Sequence, residues 1–174
     1  MPDSSIKESQ LLTIKNKSDA TTVAQQVMAH SELINEILMA CQHTNVDVAR
    51  KAAWALSALH DLNKQYLKQH LNELYILLFM ELPAAVERPI IRIIANYSIP
   101  EKQESPVFDY CLKLINHPNT AVANRAFALD LAIRMCKKYP ELTHELALSI
   151  PLLKKLGSPG LLVKVNKIRT LMND

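Results

Sequence analysis

Cysteine and carboxylate side chains are the groups in this sequence whose types and spacing could support catalysis. A thiol beside a cation, as at Cys136 and Lys137, could act as a nucleophile, because a nearby positive charge favours the thiolate. A buried, unreactive thiol is the alternative, and we favour it. The acidic pair Glu32 and Glu36 shares one face of a predicted helix. A solvated surface explains that pair better than acid–base chemistry does.

The six histidines do not follow a spacing typical of a metal site. His43 and His117 fall at matching positions in two turns, and His70 and His144 also match each other. Matching positions favour a structural role in turns or helix caps. No HxxxH or HExxH spacing places two imidazoles on one helical face, and the three cysteines form no zinc pattern. We therefore predict no catalytic residue, no metal and no cofactor, and we do not expect an enzyme.

Composition narrows the class of protein further. The chain has 174 residues, 49% of them hydrophobic, which is typical of a globular protein. It contains only two glycines, which argues against a glycine-rich loop that binds phosphate. The net charge of +3 is too small to indicate nucleic acid by itself. An odd number of widely spaced cysteines, with no apolar run of membrane-spanning length, predicts a cytoplasmic protein without membrane contact.

A turn followed by a helix recurs three times in the sequence, at a spacing of roughly 37 residues that is typical of stacked two-helix repeats. The alignment equates Val48, Val86 and Val122, and apolar residues follow four, five and seven positions later. These aligned residues are Ala52, Ile90 and Ala126, then Ala53, Ile91 and Phe127, then Ala55, Ile93 and Leu129.

The helical period of apolar residues continues nearly everywhere, which predicts an all-α fold of ten helices in five antiparallel pairs. The predicted pairs are 4–14 with 18–30, 31–42 with 46–60, 64–80 with 84–97, 104–116 with 120–139, and 141–156 with 159–171. Asn45 and Asn119 are predicted helix caps, and Pro151 is expected to kink its helix. We predict one domain over 1–174, with an atypical amino-terminal hairpin at 1–30 and clearer repeats at 31–174.

The segments "VARKAAWALSAL" and "VANRAFALDLAI" resemble the second helix of a HEAT repeat, in which a valine and a basic residue precede small and apolar positions. Here Ala49, Glu87 and Ala123 follow the valines, and the basic residues come later. The resemblance implies a right-handed α-solenoid of about five helix pairs, and a binding module without catalytic activity.

In proteins of this kind the second helices line the concave face, which is the usual binding surface. The predicted second helices of this chain carry many cations and few acids, whereas the first helices are richer in acids. The cations are Arg50, Lys51, Arg88, Arg92, Arg125, Arg134, Lys137, Lys138, Lys164, Lys167 and Arg169. This sorting predicts a basic face that attracts an anionic partner. Solvated or structural charges are the alternative.

Trp54 is the single tryptophan, and the alignment places Arg92 and Ala128 at the same position of later repeats. A variable position suggests the edge of the concave surface, where Trp54 and Arg92 could form a cation–π contact. A tryptophan packed between repeats is an equally good interpretation. The predicted binding residues are Arg50, Lys51, Trp54, Arg88, Arg92, Arg125, Lys164 and Lys167.

Two kinds of partner fit this surface. The first is a protein or peptide, held by a scaffold that has no catalytic activity. The second is the backbone of duplex DNA or RNA, as in the HEAT-like DNA alkylation repair glycosylases that this repeat pattern resembles. Those enzymes place an aromatic residue and an acid one helical turn apart, but here Ala58 follows Trp54 by one turn. Glycosylase activity is therefore not expected, and we favour a protein partner.

Overall fold

The computed structural model describes residues 6–173, and it divides the chain into two compact units. The described part of the first unit ends at Tyr97, and the second unit begins at Ser98. Every regular element among residues 6–173 is helical, which confirms the predicted all-α class. The prediction of one domain over 1–174, with an atypical hairpin at 1–30, stays a prediction. The predicted helix start at Ser4 lies outside the described residues.

Seven helices make up the described part of the first unit. They are α1 (Glu8–Leu12), α2 (Lys17–Ala29), α3 (Leu33–Ala40), α4 (Val46–Leu62), α5 (Lys64–Lys68), α6 (Leu71–Leu78) and α7 (Ala84–Ile94). Helix α4 lies at the centre of this unit, because α1, α2, α3, α5 and α7 all pack against it. Its alanine-rich face is buried and lets its neighbours approach closely.

The described part of the second unit contains five α-helices and one short 3-10 turn at Pro140–Leu142. The helices are α8 (Glu101–Asn116), α9 (Val122–Lys138), α10 (Thr143–Ala147), α11 (Ile150–Leu156) and α12 (Pro159–Asn173). Helix α9 packs against α8, α10, α12 and the 3-10 turn, and α12 also contacts α10 and α11. Helix α9 is thus the centre of the second unit, as α4 is of the first.

Two predicted long helices are each divided into shorter ones. The predicted helix over 64–80 separates into α5 and α6, with a turn at Gln69 and His70 between them. The predicted helix over 141–156 separates into a 3-10 turn, α10 and α11. Pro151 lies in the first turn of α11, where its missing N–H leaves no hydrogen bond unmade. The proline therefore helps to begin a helix rather than to kink one.

The buried faces of the second helices repeat with a slightly longer period than the sequence alignment indicates. Val48, Val86 and Asn124 occupy matching buried positions, each 38 residues after the one before. The predicted equivalence of Val122 is wrong, because its side chain is 48% exposed. The sequence conceals the true register, since polar Asn124 stands where earlier repeats have valine.

The two predicted asparagine caps have different outcomes. The Asn45 side chain accepts a hydrogen bond from the Asp47 N–H at 3.0 Å, which confirms it as the cap of α4. Asn119 does not cap α9, because that helix begins at Val122 with Ala121 as its flanking residue. Helix α2 begins with two cap hydrogen bonds, because Asn16 and Asp19 form a reciprocal capping box.

These caps give a matched test of the fold. We expect Asn45→Ala to lower the free energy of unfolding by about 1 kcal/mol, because an N–H at the start of α4 loses its acceptor. Asn119→Ala should change it by less than about 0.5 kcal/mol, as surface substitutions usually do. Urea denaturation followed by circular dichroism measures both. Equal losses in the two variants would contradict the assignment of Asn45 as the cap.

Candidate functional site

Two predicted binding cations of α4 form contacts inside the first unit. The Arg50 Nη2 atom lies 2.9 Å from Asp47 Oδ1, one helical turn earlier in the same helix. The Lys51 Nζ atom donates a hydrogen bond of 2.5 Å to the carbonyl oxygen of Leu12, the last residue of α1. Lys51 therefore satisfies a carbonyl at the end of one helix and joins that helix to α4.

Arg92 joins α7 to α4. Its Nη1 and Nη2 atoms each lie 3.0 Å from Asp61 Oδ1, and Nη2 also donates to the Ser57 hydroxyl at 2.5 Å and to the Ser57 carbonyl at 3.3 Å. Four hydrogen bonds thus hold the guanidinium against the neighbouring second helix. Arg92 thus serves as a structural charge, which was the alternative to a charge that binds a partner.

Trp54 lies half-buried on α4. Among the described residues, no cation–π contact joins it to Arg92, whose guanidinium is bound to Ser57 and Asp61 instead. In the 38-residue register the position of Trp54 is occupied by Arg92 and then by Asp130, so the predicted equivalence with Ala128 is wrong. The position is still variable between repeats, as the sequence indicated.

Arg125 is the predicted binding residue that the structure removes from the surface. It is only 1% exposed, and its guanidinium donates to the carbonyls of Ile115 at 2.9 Å and His117 at 2.6 Å. These carbonyls lie at the end of α8, where the helix itself provides no partner, and the Thr120 N–H of the turn also donates to the His117 carbonyl at 3.2 Å. Burial lowers the pKa of Arg125. The residue closes the turn between α8 and α9, so a direct contact with a partner is excluded.

Two ion pairs join α9 to neighbouring helices on different sides. Lys164 of α12 forms an ion pair with Asp130 of α9, which joins these two helices. On the other side, Lys138 Nζ lies 2.7 Å from Glu104 Oε1, and the Tyr139 hydroxyl donates to Glu104 Oε2 at 2.6 Å. These hydrogen bonds lower the pKa of Glu104 and raise the pKa of Lys138.

Between α9 and α12 the second unit has an open groove of about 480 Å³. Its lining consists of Asp130, Ile133, Arg134, Lys137, Lys167, Thr170 and Leu171. Lys137 and Lys167 are exposed, and among residues 6–173 neither has an ion pair or a side-chain hydrogen bond. The charge of Asp130 is already paired with Lys164. The lining of the groove therefore carries more positive than negative side chains, together with apolar ones.

Of the eight predicted binding residues, only one lines this groove. That residue is Lys167. Lys164 does not line the groove itself but forms an ion pair with Asp130, which does. Arg134 and Lys137 line the groove but were not selected from the sequence. Their spacing of three residues on α9 was the available signal, because it places both on one face of a helix. In the first unit, Arg88 is an exposed cation of α7 with no ion pair among the described residues.

Most of the groups considered for catalysis are buried or form hydrogen bonds that stabilise local structure. Cys41, Cys111 and Cys136 are buried, which confirms Cys136 as a buried thiol, and burial raises its pKa. His43 holds the turn before α4, because its Nδ1 accepts the Asn45 N–H at 3.0 Å and its Nε2 lies 2.9 Å from Glu8. This geometry confirms a structural role for His43.

Comparison with known protein families identifies the repeat family of this chain. A family model described as HEAT repeat domain matches residues 7–172. The chain belongs to the HEAT repeat family. HEAT repeats generally serve as scaffolds for protein interactions and are typically not catalytic. Neither the curated proteins nor the solved structures contain a match to this HEAT repeat chain.

Two further observations concern residues 6–173 of this HEAT repeat protein. No group of three or more histidine, cysteine or carboxylate side chains is placed to hold a metal ion there. None of the helices in that range combines the length and apolar composition needed to cross a membrane.

The role of Arg125 can be tested against another arginine of a second helix. We expect Arg125→Met to lower the free energy of unfolding by about 2 to 4 kcal/mol, because the buried Ile115 carbonyl and the partly buried His117 carbonyl both lose a charged donor. The matched control is Arg50→Met, which removes an exposed ion pair and should cost less than about 1 kcal/mol. Urea denaturation measures both variants. A loss at Arg125 no larger than that at Arg50 would show that the buried hydrogen bonds do not stabilise the turn.

Proposed function

We propose that this HEAT repeat protein is a scaffold that has no catalytic activity and binds a protein or peptide through the basic surface of its second helices. In this proposal about five helix pairs form a right-handed solenoid, and the second helices line its concave face. The groove between α9 and α12 is the principal contact in the second unit. Arg88 and Trp54 are the candidate contacts in the first unit.

The observation that carries the proposal is the presence of cations that internal contacts do not use. Lys51, Arg92 and Arg125 are bound to groups of their own unit. Lys137 and Lys167, in contrast, extend beside one groove without a carboxylate partner among the described residues. A carboxylate supplied by a partner could pair with both lysines. Such pairing increases the rate of association and favours acidic partners over basic ones.

The groove lining favours a protein partner over a nucleic acid backbone. Ile133 and Leu171 contribute apolar surface between the cations, and Thr170 adds a hydroxyl group. An acidic segment with an apolar side chain satisfies both kinds of surface, whereas a phosphate backbone uses only the cations. Duplex DNA or RNA remains the second candidate, because the same lysines could contact phosphates.

The groove can be tested by reversing its two exposed charges. We expect the Lys137→Glu, Lys167→Glu double variant to lose at least about tenfold in affinity for partners that the wild-type protein captures from a lysate, since two favourable charge pairs become repulsive. The control is Lys154→Glu with Lys155→Glu, which makes the same charge change on exposed residues of α11. Captured proteins are compared by quantitative mass spectrometry.

The outcomes of this comparison are distinct. Loss in the groove variant alone supports the proposal, and equal loss in both variants indicates attraction by net charge only. If the wild-type protein captures no partner, or if the groove variant retains all of them, the proposed use of this groove is wrong.

The nucleic acid alternative predicts a strong dependence on salt. With about three phosphate contacts, from Arg134, Lys137 and Lys167, the affinity for a duplex should fall about 40-fold between roughly 50 and 200 mM salt. Fluorescence anisotropy with labelled duplex DNA and RNA measures this change. We expect no saturable binding even at the lower salt concentration. Binding with the steep dependence, abolished by the groove variant, would instead favour a nucleic acid partner.

A further inference from the structure

His60 is a buried histidine whose ring nitrogens have no hydrogen-bond partner among the described residues. Its side chain lies in the last turn of α4 and is 1% exposed. Buried polar groups are nearly always hydrogen-bonded, so two unpaired nitrogens in one ring require an explanation. Burying a neutral imidazole at such a site costs far less free energy than burying a charged one, because the charged form needs two hydrogen-bond acceptors.

The imidazole lies at the joint of α4, α5 and the end of α7, which we call the His60 joint and define by His60, Asp61, Lys64, Arg92 and Tyr97. The Tyr97 ring packs edge-on against it, with 5.8 Å between ring centroids. The Tyr97 hydroxyl donates to the Lys64 carbonyl at 2.6 Å, which connects the end of α7 to the first residue of α5.

Three charged groups surround His60, and they act in opposite directions. Asp61 Oδ1 lies 3.7 Å from His60 Nδ1, but this oxygen already accepts both donors of Arg92. Arg92 and Lys64 disfavour a second positive charge. Burial and these two cations lower the pKa of His60, with Asp61 opposing them. Tyr97 carries no charge near neutral pH, since burial raises its pKa.

We propose that the His60 joint is a proton-sensitive latch between α4 and α7. When His60 is neutral, Asp61 is fully available to Arg92, and the two helices stay joined. When His60 is protonated, its Nδ1–H competes with Arg92 for the Asp61 carboxylate. The two positive charges then repel each other, and the last turn of α7 separates from α4 while the rest of the unit stays folded.

The direction of the pH effect follows from the lowered pKa. Between the pKa of folded His60 and the ordinary value of 6.5, the open joint binds more protons than the closed one. The closed joint is therefore fully stable above that range, and its stability is lost as the pH falls through it. Each pH unit in this range changes the equilibrium between the closed and open joint by up to about tenfold.

Hydrogen exchange at the joint tests this proposal. After correction for the intrinsic exchange rate, we expect amide protection at Ala95, Asn96 and Tyr97 to fall severalfold, by up to about tenfold, between pH 7.5 and 5.5. The buried amides of α2 should keep their protection. The His60 ring resonances, followed by NMR in the wild-type protein, should titrate over the same range.

Two variants distinguish the proposed latch from a general loss of stability of the unit at low pH. His60→Phe keeps a ring against Tyr97 but cannot bind a proton, so protection at the joint should no longer depend on pH. Asp61→Asn removes the carboxylate for which both groups compete, so the joint should be open even at pH 7.5. Tyr97→Phe is the control that retains the dependence on pH, because it leaves His60 and Asp61 in place.

Several outcomes would overturn the latch. One is an equal loss of protection throughout the unit, and another is an unchanged pH dependence in His60→Phe. If His60→Phe does not fold, the wild-type protein decides the question. A His60 ring that titrates without any change in protection at Ala95, Asn96 and Tyr97 shows that no latch exists.

Discussion

Helices leave carbonyl groups without partners at their carboxyl ends, and in this protein two basic side chains donate to such carbonyls. Lys51 donates to the last carbonyl of α1, and Arg125 donates to two carbonyls at the end of α8. Arg92 differs, because the Ser57 carbonyl to which it donates lies inside α4, so its role is to join α7 to α4. Each of these cations also joins one helix to the next, so the packing of the repeats depends on them.

This use of cations determines which basic residues are available to a partner. A side chain that holds such a carbonyl cannot move to a ligand without losing that hydrogen bond. Arg125 is the strongest case, because it is enclosed and holds two carbonyls. Arg88, Lys137 and Lys167 have no such task among the described residues, so they are the cations on which the proposed binding surface depends.

Successive second helices are joined by polar contacts in both units, but the two joints differ in chemistry. In the second unit, Lys164 and Asp130 form a simple ion pair between α12 and α9. In the first unit, the pair of Arg92 and Asp61 lies beside the buried imidazole of His60. In the proposed latch, a neutral histidine keeps the first joint intact at neutral pH. The proposed latch would make that joint, and not the other, responsive to protons.

The sequence by itself determined the helical class, the repeat family and the cap at Asn45, because apolar period and turn chemistry are local properties. It also sorted the cations onto the second helices. It placed the third repeat two residues out of register, since Asn124 and Arg125 fill buried positions that are not polar in the first repeat. Only the tertiary structure decided which cations are enclosed, because that depends on carbonyls and carboxylates of neighbouring helices. The sequence also could not predict the contact of His60, Asp61 and Arg92, because it forms only when α7 packs against α4.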